Sequence, residues 1–321
     1  MARPESFAGL VTMANFAATR RCMTEQAVPP KRIFPTSKVD ARAAEHVPSI
    51  PQTESPAYRL AFQDPDFLLR EDLRPVRFQL ELLKPELLLN EAGIESTFVF
   101  YGSARIPSPD MADALVAAAT NPEQEKIAER LKAKSHYYDV ALELARLASR
   151  GEADASGKRH FVVCSGGGPS IMEAANRGAA EEGKESIGLN IVLPHEQLPN
   201  RYVTPDLSFQ FHYFALRKMH FLLRARAVAV FPGGYGTFDE MFELLTLVQT
   251  GKVRPLPILL FGRDYWNRVV NFEAMVEEGV IAPHDLDLIH WTEDAREAWD
   301  FVTNFYREHP APDRVRSAPP E

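Results

Sequence analysis

The sequence predicts an α/β domain built on a doubly wound parallel sheet, and two observations indicate it. Short apolar runs alternate with helical segments along the centre of the chain, and these runs are TFVFYG, HFVVCSG, SIGLNIVL, SFQFHYF, AVAVFPG and LPILLF. Runs that are apolar on both faces suit strands of a parallel sheet with helices on both of its faces. Glycines also cluster directly after several of these runs, at the strand ends where such sheets bind ligands.

Both ends of the chain are expected to lie outside this sheet. Residues 1–57 are polar and contain scattered prolines, so they predict a mostly extended N-terminal arm. Residues 58–94 have a helical pattern, with Pro75 suited to the first turn of the second helix, and predict a helical extension. The sheet domain is expected over residues 95–308, followed by a flexible tail over residues 309–321.

Composition excludes several classes of protein. With 321 residues, 45% of them hydrophobic, the chain can bury a full core, and its net charge of −8 argues against non-specific binding to nucleic acid or anionic membrane. The cysteines, Cys22 and Cys164, are too far apart in dissimilar contexts to predict a disulfide framework or a zinc site. No apolar run approaches the roughly 20 residues of a membrane span. We therefore expect a cytoplasmic protein.

Three glycine-containing turns follow predicted strands, at Gly102, at Gly166 to Gly168, and at Gly233 to Gly236. A turn that enters a helix presents backbone N–H groups beside the positive end of the helix dipole, which suits a phosphate. The third turn, PGGYGT, adds the hydroxyl of Thr237. In the alternative interpretation, Thr237 is a helix N-cap and Glu240, at capping-box spacing, reaches back to it. Two such turns at neighbouring strand ends favour anion binding, although neither the second nor the third has a Walker A or dinucleotide-binding pattern.

A basic face precedes the third turn. In HYFALRKMHFLLRARA, a helix from Ala215 would carry Arg217, His220 and Arg224 on one side. Basic residues on a helix usually form a solvated face, but here they interrupt a very apolar segment. The pattern therefore favours an anionic or carboxylate partner, while His220 taken alone favours a structural role.

These residues carry a resemblance to a known family. Arg217 and Lys218, followed by PGGYGTFDE, resemble the signature of the Lonely Guy (LOG) family, the cytokinin riboside 5′-monophosphate phosphoribohydrolases, whose bacterial relatives include broader nucleoside-monophosphate nucleosidases. The stretches FYGSAR, SGGGPSIMEAANRGA and GLNIVLPHEQLPNRYV are similar to other parts of the family, so the likeness covers about residues 95–305. The chain departs from the pattern at Ser170, where glycine is common, and in an insertion over roughly residues 108–134.

The resemblance implies a Rossmann-like fold and a reaction. The reaction is hydrolysis of the N-glycosidic bond of a nucleoside 5′-monophosphate, either AMP or a cytokinin riboside 5′-monophosphate, to free base and ribose 5-phosphate. It implies no metal and no cofactor. Arg217 and Glu240 would be the catalytic residues. Arg217 would position the substrate or the departing base, and Glu240 would stabilise the cation at C1′ and orient or deprotonate the water. The substrate-binding residues would be Gly102, Ser103, Gly166, Gly167, Gly168, Met172, Lys218, Gly233, Gly234, Gly236 and Thr237.

Other functions remain open at this point. A nucleotide-binding carrier similar to molybdenum-cofactor carrier proteins would keep the glycine turns but would not need both Arg217 and Glu240. A sensor could use the N-terminal third to answer an effector. Relatives are sometimes labelled lysine decarboxylases, but Lys218 is the one feature that suggests a lysine for pyridoxal phosphate, and we reject that label. The resemblance also implies a homodimer, in agreement with the apolar residues 221–223, whose alternative is burial within the protomer.

Overall fold

A single parallel sheet organises the part of the chain described by the computed structural model, residues 34–194 and 198–310. Seven strands in these ranges form the sheet, in the order β4-β3-β2-β1-β5-β6-β7. The strands are β1 (Thr97–Tyr101), β2 (Val162–Ser165), β3 (Ile187–Ile191), β4 (Ser208–Phe211), β5 (Ala225–Val230), β6 (Ile258–Phe261) and β7 (His290–Thr292). All six predicted strands are present and every pairing is parallel, which confirms the predicted fold class.

The seventh strand is one that the sequence did not indicate. Strand β7 pairs with β6 from Leu259 opposite His290 to Phe261 opposite Thr292. It lies at the edge of the sheet, where a strand needs only one neighbour, and its three residues are too few to show a periodic pattern.

Helices connect the strands. Those in the described ranges are α1 (Ser37–Ala44), α2 (Pro51–Glu54), α3 (Pro65–Leu68), α4 (Arg74–Glu91), α5 (Pro109–Ala117), α6 (Pro122–Lys132), α7 (His136–Ser149), α8 (Ile171–Glu181), α9 (Phe214–Leu223), α10 (Tyr235–Gln249), α11 (Arg263–Val269), α12 (Phe272–Glu277) and α13 (Ala295–Glu308). Short 3₁₀ turns lie at Pro56–Tyr58, Ala61–Gln63, Glu71–Leu73, Pro205–Leu207 and Pro283–Leu288. None of the helices in the described ranges is long and apolar enough to cross a lipid bilayer.

The described residues form two compact units, and the first covers residues 34–76. Part of the predicted extended arm is helical there. Helix α1 begins where the side chain of Thr36 accepts a hydrogen bond from the backbone N–H of Val39, and α2 begins at Pro51, which suits a first turn. The remainder of the predicted arm, residues 1–33, and most of the predicted tail, residues 311–321, lie outside the described residues.

The second unit begins at Arg77, so most of α4 belongs to it. The sequence pattern placed the boundary at residue 94 instead. Helix α4 joins the unit because Leu89 and the following Ile94 are buried in the same apolar cluster as the strands. The insertion over residues 108–134 contains α5 and α6, and α6 begins where the side chain of Asn121 accepts a hydrogen bond from the N–H of Gln124 (2.9 Å).

Helices cover both faces of the sheet, as the apolar runs predicted. Successive residues of β1 point to opposite faces, so Phe98 and Phe100 pack with α7, α8 and α13, whereas Val99 and Tyr101 pack with α4, α9 and α10. The strand order reverses between β1 and β5, because the chain first builds one half of the sheet and then the other. A cleft at the carboxyl ends of these two strands is where ligands bind in such sheets.

Candidate functional site

A cavity of about 800 Å³ lies at this position. It brings together nine of the residues that the sequence predicted for the site. The turn after β1 contributes Gly102 and Ser103, helix α8 contributes Met172, helix α9 contributes Arg217, and the turn after β5 with helix α10 contributes Gly233, Gly234, Gly236, Thr237 and Glu240. The volume is within the range of pockets that hold small molecules, roughly 300–1,000 Å³.

Helix α10 starts earlier than the sequence pattern suggested. Its first residue is Tyr235 and its N-cap is Gly234, so Thr237 lies inside the first turn. The alternative interpretation, a capping box between Thr237 and Glu240, is therefore wrong, because the helix has already begun before Thr237. The first backbone N–H groups of a helix have no partner within it, and here they lie beside the cavity at the positive end of the dipole. The arrangement suits an anion.

Gly233 is glycine for a steric reason. A Cβ atom at this position would lie 2.1 Å from Thr237 Oγ1 and 2.6 Å from Thr237 Cβ, too close for real atoms. At Gly234 and Gly236, in contrast, an added Cβ would meet no atom within 4 Å. The first glycine therefore allows Thr237 to fold back against the turn, and the other two leave the mouth of the turn open.

Alanine at Gly233 and at Gly234 should have different effects on stability. Gly233→Ala is expected to lower the free energy of unfolding by about 1–3 kcal/mol, because the methyl group forces Thr237 and the start of α10 to move. Gly234→Ala should leave stability within about 0.5 kcal/mol of the original, since its methyl group meets open space. Urea unfolding of both variants checks this, and equal losses would show that the contact with Thr237 is unimportant.

Arg217 and Glu240 form an ion pair beside the turn. The Nη1 atom of Arg217 lies 3.3 Å from Glu240 Oε1, and its Nε donates to the carbonyl of Leu189 (2.7 Å). The side chains are only 12% and 13% exposed. Burial raises the pKa of Glu240 to about 7, although the Arg217 guanidinium opposes the rise. A carboxyl group with this pKa can exchange a proton near neutral pH, which suits a general base.

The second glycine turn lies against the side chain of Arg217. Gly166 to Gly168 do not line the cavity, but a Cβ on Gly166 would lie 2.6 Å from Nη2 of Arg217. Gly167 has φ = +71°, which favours glycine, and the carbonyl of Gly168 accepts a hydrogen bond from Nδ2 of Asn200 (2.9 Å). Gly166 therefore leaves room for the guanidinium of Arg217, whereas Gly167 and Gly168 fix the conformation of their own loop.

Ser170 has the backbone conformation that explains why glycine is common there. Its φ is +66° and its ψ is −125°, a region that residues with a Cβ rarely adopt. Its hydroxyl donates a hydrogen bond to the carbonyl of Ile106, which offsets part of the backbone strain.

The structure does not bring Lys218 to the cavity. Its ammonium group lies 3.1 Å from Asp239 Oδ1 and 3.3 Å from Glu243 Oε2, both on α10. The side chain therefore joins α9 to α10 beside the predicted catalytic pair.

The predicted basic face does not act as a unit. Only Arg217 reaches the cavity. His220 is buried, its Nε2 lies 3.3 Å from the carbonyl of Glu81, and burial lowers its pKa, which favours the neutral ring. Arg224 follows the last residue of α9 and turns back to Glu86 on α4, with Nη2 2.5 Å from Glu86 Oε2. The expectation of a shared anionic ligand is therefore corrected: His220 and Arg224 have structural partners within the protomer.

Other residues of the cavity were missed by the sequence analysis. Arg105, Tyr235 and Tyr265 line it, and the hydroxyl of Tyr265 donates to the carbonyl of Gly233 (2.5 Å). Arg105 lies in the FYGSAR turn, so its position after β1 was a usable signal. Tyr265 comes from α11, and no local pattern links it to the glycine turn.

Sequence comparisons show which proteins this chain is similar to. Residues 172–302 match the family described as "Possible lysine decarboxylase". A probable cytokinin riboside 5′-monophosphate phosphoribohydrolase of Oryza sativa subsp. japonica, LOGL3, is 28% identical over 194 residues, which cover 57% of this chain and 82% of that protein. The Arabidopsis thaliana enzyme LOG1 is 29% identical over 182 residues, covering 55% and 79%. The resemblance to the Lonely Guy family is thereby confirmed.

Solved structures with a similar fold include a molybdenum cofactor carrier protein from Chlamydomonas reinhardtii, with 18% identity, a TM-score of 0.39, and coverage of 66% of this chain and 99% of that chain. The molybdenum cofactor binding protein of Rippkaea orientalis has 14% identity and a TM-score of 0.36, and the match covers 65% and 97%. Residues of PGGYGTFDE, the stretch that resembles the Lonely Guy signature, line the cavity together with Arg217.

Proposed function

We propose that this protein hydrolyses the N-glycosidic bond of a nucleoside 5′-monophosphate. The observation that carries the proposal is the buried pair of Arg217 and Glu240, placed one helical turn from a glycine turn that suits a phosphate. The names of the relatives in rice and Arabidopsis, phosphoribohydrolases of cytokinin riboside 5′-monophosphates, support the same reaction class. AMP and a cytokinin riboside 5′-monophosphate are the substrates that we propose.

In this proposal the first turn of α10 binds the 5′-phosphate and Glu240 faces the ribose. The bond between C1′ and the base nitrogen breaks, the bonding electrons leave with the base, and positive charge develops at C1′. The carboxylate of Glu240 stabilises that charge and takes a proton from the attacking water, whose oxygen bonds to C1′. The departing base gains the proton that Glu240 took from water, so Glu240 returns to the carboxylate form and base and ribose 5-phosphate are released. Arg217 holds the carboxylate and offers hydrogen bonds to the substrate. This reaction requires no cofactor.

Lysine-dependent decarboxylation is less well supported. Lys218 would be the candidate for a pyridoxal phosphate lysine, but its ammonium group is held by Asp239 and Glu243 and does not line the cavity.

The decisive test is incubation with a panel of nucleoside 5′-monophosphates, scoring the free base and ribose 5-phosphate. AMP should be hydrolysed and adenosine should not, because the best-supported binding element is an anion site that adenosine cannot use. Equal turnover of AMP and adenosine would contradict the assignment of the phosphate site. Tight binding of nucleotides without any released base would favour a carrier or a sensor.

Activity should depend on the ionisation of Glu240. We expect kcat/KM to fall as the pH drops below about 7, because the carboxylate is the active form and burial raises its pKa to about 7. An unperturbed glutamate would place this limb near pH 4.3. Binding of ribose 5-phosphate over the same range measures the contribution of the phosphate, whose second pKa is about 6. If the acidic limb of kcat/KM has the same pH dependence as ribose 5-phosphate binding, the phosphate accounts for it and Glu240 is not the titrating group.

We further propose that the protein acts as a homodimer. Of the apolar residues 221–223, Phe221 is buried within the protomer and does not face a second copy. Met219 and Leu223, one turn apart on α9, are 45% and 38% exposed and offer an apolar surface to a second copy. Light scattering at micromolar concentration should detect the dimer, and a fully active monomer would refute it.

A further inference from the structure

The helix that carries Arg217 has no cap from its own sequence. Helix α9 begins at Phe214, its N-cap residue is Tyr213, and the side chain of Tyr213 makes no capping hydrogen bond. A helix start without a cap frays easily, because its first N–H groups lack partners. Arg217 lies in the first turn, so fraying of this end would move its guanidinium group.

Glu81 of helix α4 accepts hydrogen bonds from the backbone at this end of the helix, including the N-cap residue. Its Oε1 accepts a hydrogen bond from the backbone N–H of His212 (2.9 Å), and its Oε2 accepts one from the N–H of Tyr213 (3.2 Å). The negative charge also lies beside the positive end of the α9 dipole, which is favourable. The ring of Phe78, one turn earlier on α4, packs on the ring of Tyr213 with centroids 4.0 Å apart.

A continuous series of hydrogen bonds joins Glu81 to the ion pair in the cavity. Glu81 holds the N–H of Tyr213, the carbonyl of Tyr213 accepts from the N–H of Arg217 (3.1 Å), and the guanidinium of Arg217 reaches Glu240 (3.3 Å). The last contact is near the limit of a hydrogen bond. A small outward movement of the start of α9 would therefore break it.

We propose that Glu81 is a positioning residue, which holds the start of α9 so that Arg217 keeps its contact with Glu240. The inference rests on the proposed function of this pair. Glu81 lies outside residues 172–302, which match the family. A helix that precedes the sheet is thus part of the machinery of the site, although none of its residues lines the cavity.

The test compares Glu81→Ala, Glu81→Gln and, as a matched control, Asn90→Ala. Asn90 is also on α4 and accepts a hydrogen bond from Arg224 at the opposite end of α9 (2.9 Å). All three variants are assayed with AMP at a temperature where circular dichroism shows them fully folded. Glu81→Ala should lower kcat at least about tenfold, since a displacement of about 1 Å can cost up to 10²-fold. Glu81→Gln, which keeps one acceptor oxygen, should lie between Glu81→Ala and the original protein. Asn90→Ala should lower the midpoint of thermal unfolding but leave kcat unchanged.

The pH profile of kcat/KM gives a second measurement. It would not change if Glu81 only stabilised the fold. Arg217 lowers the pKa of Glu240, so a displaced Arg217 should move the acidic limb of kcat/KM to higher pH in Glu81→Ala. Of the other charged groups that face Glu240, Asp239 and Glu243 lie on α10, and ion pairs with both of them hold the ammonium group of Lys218. A Glu81→Ala protein with the original kcat and the original limb would overturn the proposal.

Hydrogen exchange separates this proposal from the proposed function. The N–H groups of Tyr213 and Arg217 should exchange faster in Glu81→Ala and at the original rate in Asn90→Ala. If the original protein releases no base from any monophosphate, the proposed function fails, but the exchange rates still show whether Glu81 holds the start of α9. Unchanged exchange of both groups would overturn the positioning role even in an active enzyme.

Discussion

Replacing Glu240 by glutamine is expected to lower kcat for nucleoside 5′-monophosphate hydrolysis by at least about 10²-fold and to leave nucleotide binding nearly intact. The amide has the size of the carboxyl group, and its oxygen can still accept the hydrogen bond from Arg217 (3.3 Å). Loss of a helix cap is not part of the effect, because α10 begins at Tyr235 and Glu240 does not cap it. The amide can neither stabilise positive charge at C1′ nor take a proton from water. Loss of such a preorganised contact typically costs about 10²–10³ in rate.

The neighbouring carboxylate provides the control for this experiment. Asp239 is adjacent in sequence but binds Lys218 and does not line the cavity, so Asp239→Asn should retain kcat within a few-fold. Initial rates with AMP give kcat and KM, and calorimetry with ribose 5-phosphate measures binding. Turnover by Glu240→Gln near the original rate would remove Glu240 from the mechanism and favour a carrier or a sensor.

Replacing Arg224 by methionine is expected to lower the free energy of unfolding by about 3–5 kcal/mol, a large share of the stability of a typical domain. The side chain of Arg224 is only 2% exposed. Its guanidinium donates to Glu86 Oε2 (2.5 Å), to Asn90 Oδ1 (2.9 Å) and to the carbonyl of Ile94. Methionine keeps much of the apolar stem but leaves these three acceptors without their donor, and Glu86 without its counter-charge.

Urea unfolding measures this loss, and Arg254→Met is the matched control. Arg254 is exposed and lies in the connection between α10 and β6, where the same substitution should change stability by less than about 0.5 kcal/mol. If both substitutions change the free energy of unfolding equally, water must replace Arg224 as the hydrogen-bond donor to Glu86, Asn90 and Ile94. The bonds between α4 and the end of α9 would then contribute little to folding.

The sequence by itself predicted the fold class, which the structure confirms, and residues that lie together at one cavity. Runs such as TFVFYG and AVAVFPG are apolar on both faces, and only a parallel sheet covered on both sides buries them, which is why all six predicted strands are present. The glycine turns could be placed at strand ends because residues close together in the sequence encode each strand, turn and helix. Arg217 and Glu240 were predicted from the resemblance to the Lonely Guy signature, and both line the cavity.

Tertiary structure alone decided the remaining features, because they depend on contacts between residues distant in the sequence. Strand β7 exists only because β6 offers it a partner. Helical spacing placed His220 and Arg224 on the face of Arg217, but a long side chain beyond the end of a helix can turn back, and here α4 provides the partners. Tyr265 reaches the glycine turn from another helix. The pKa of Glu240 near 7 is likewise a property of its burial, and no sequence pattern encodes burial at a single position.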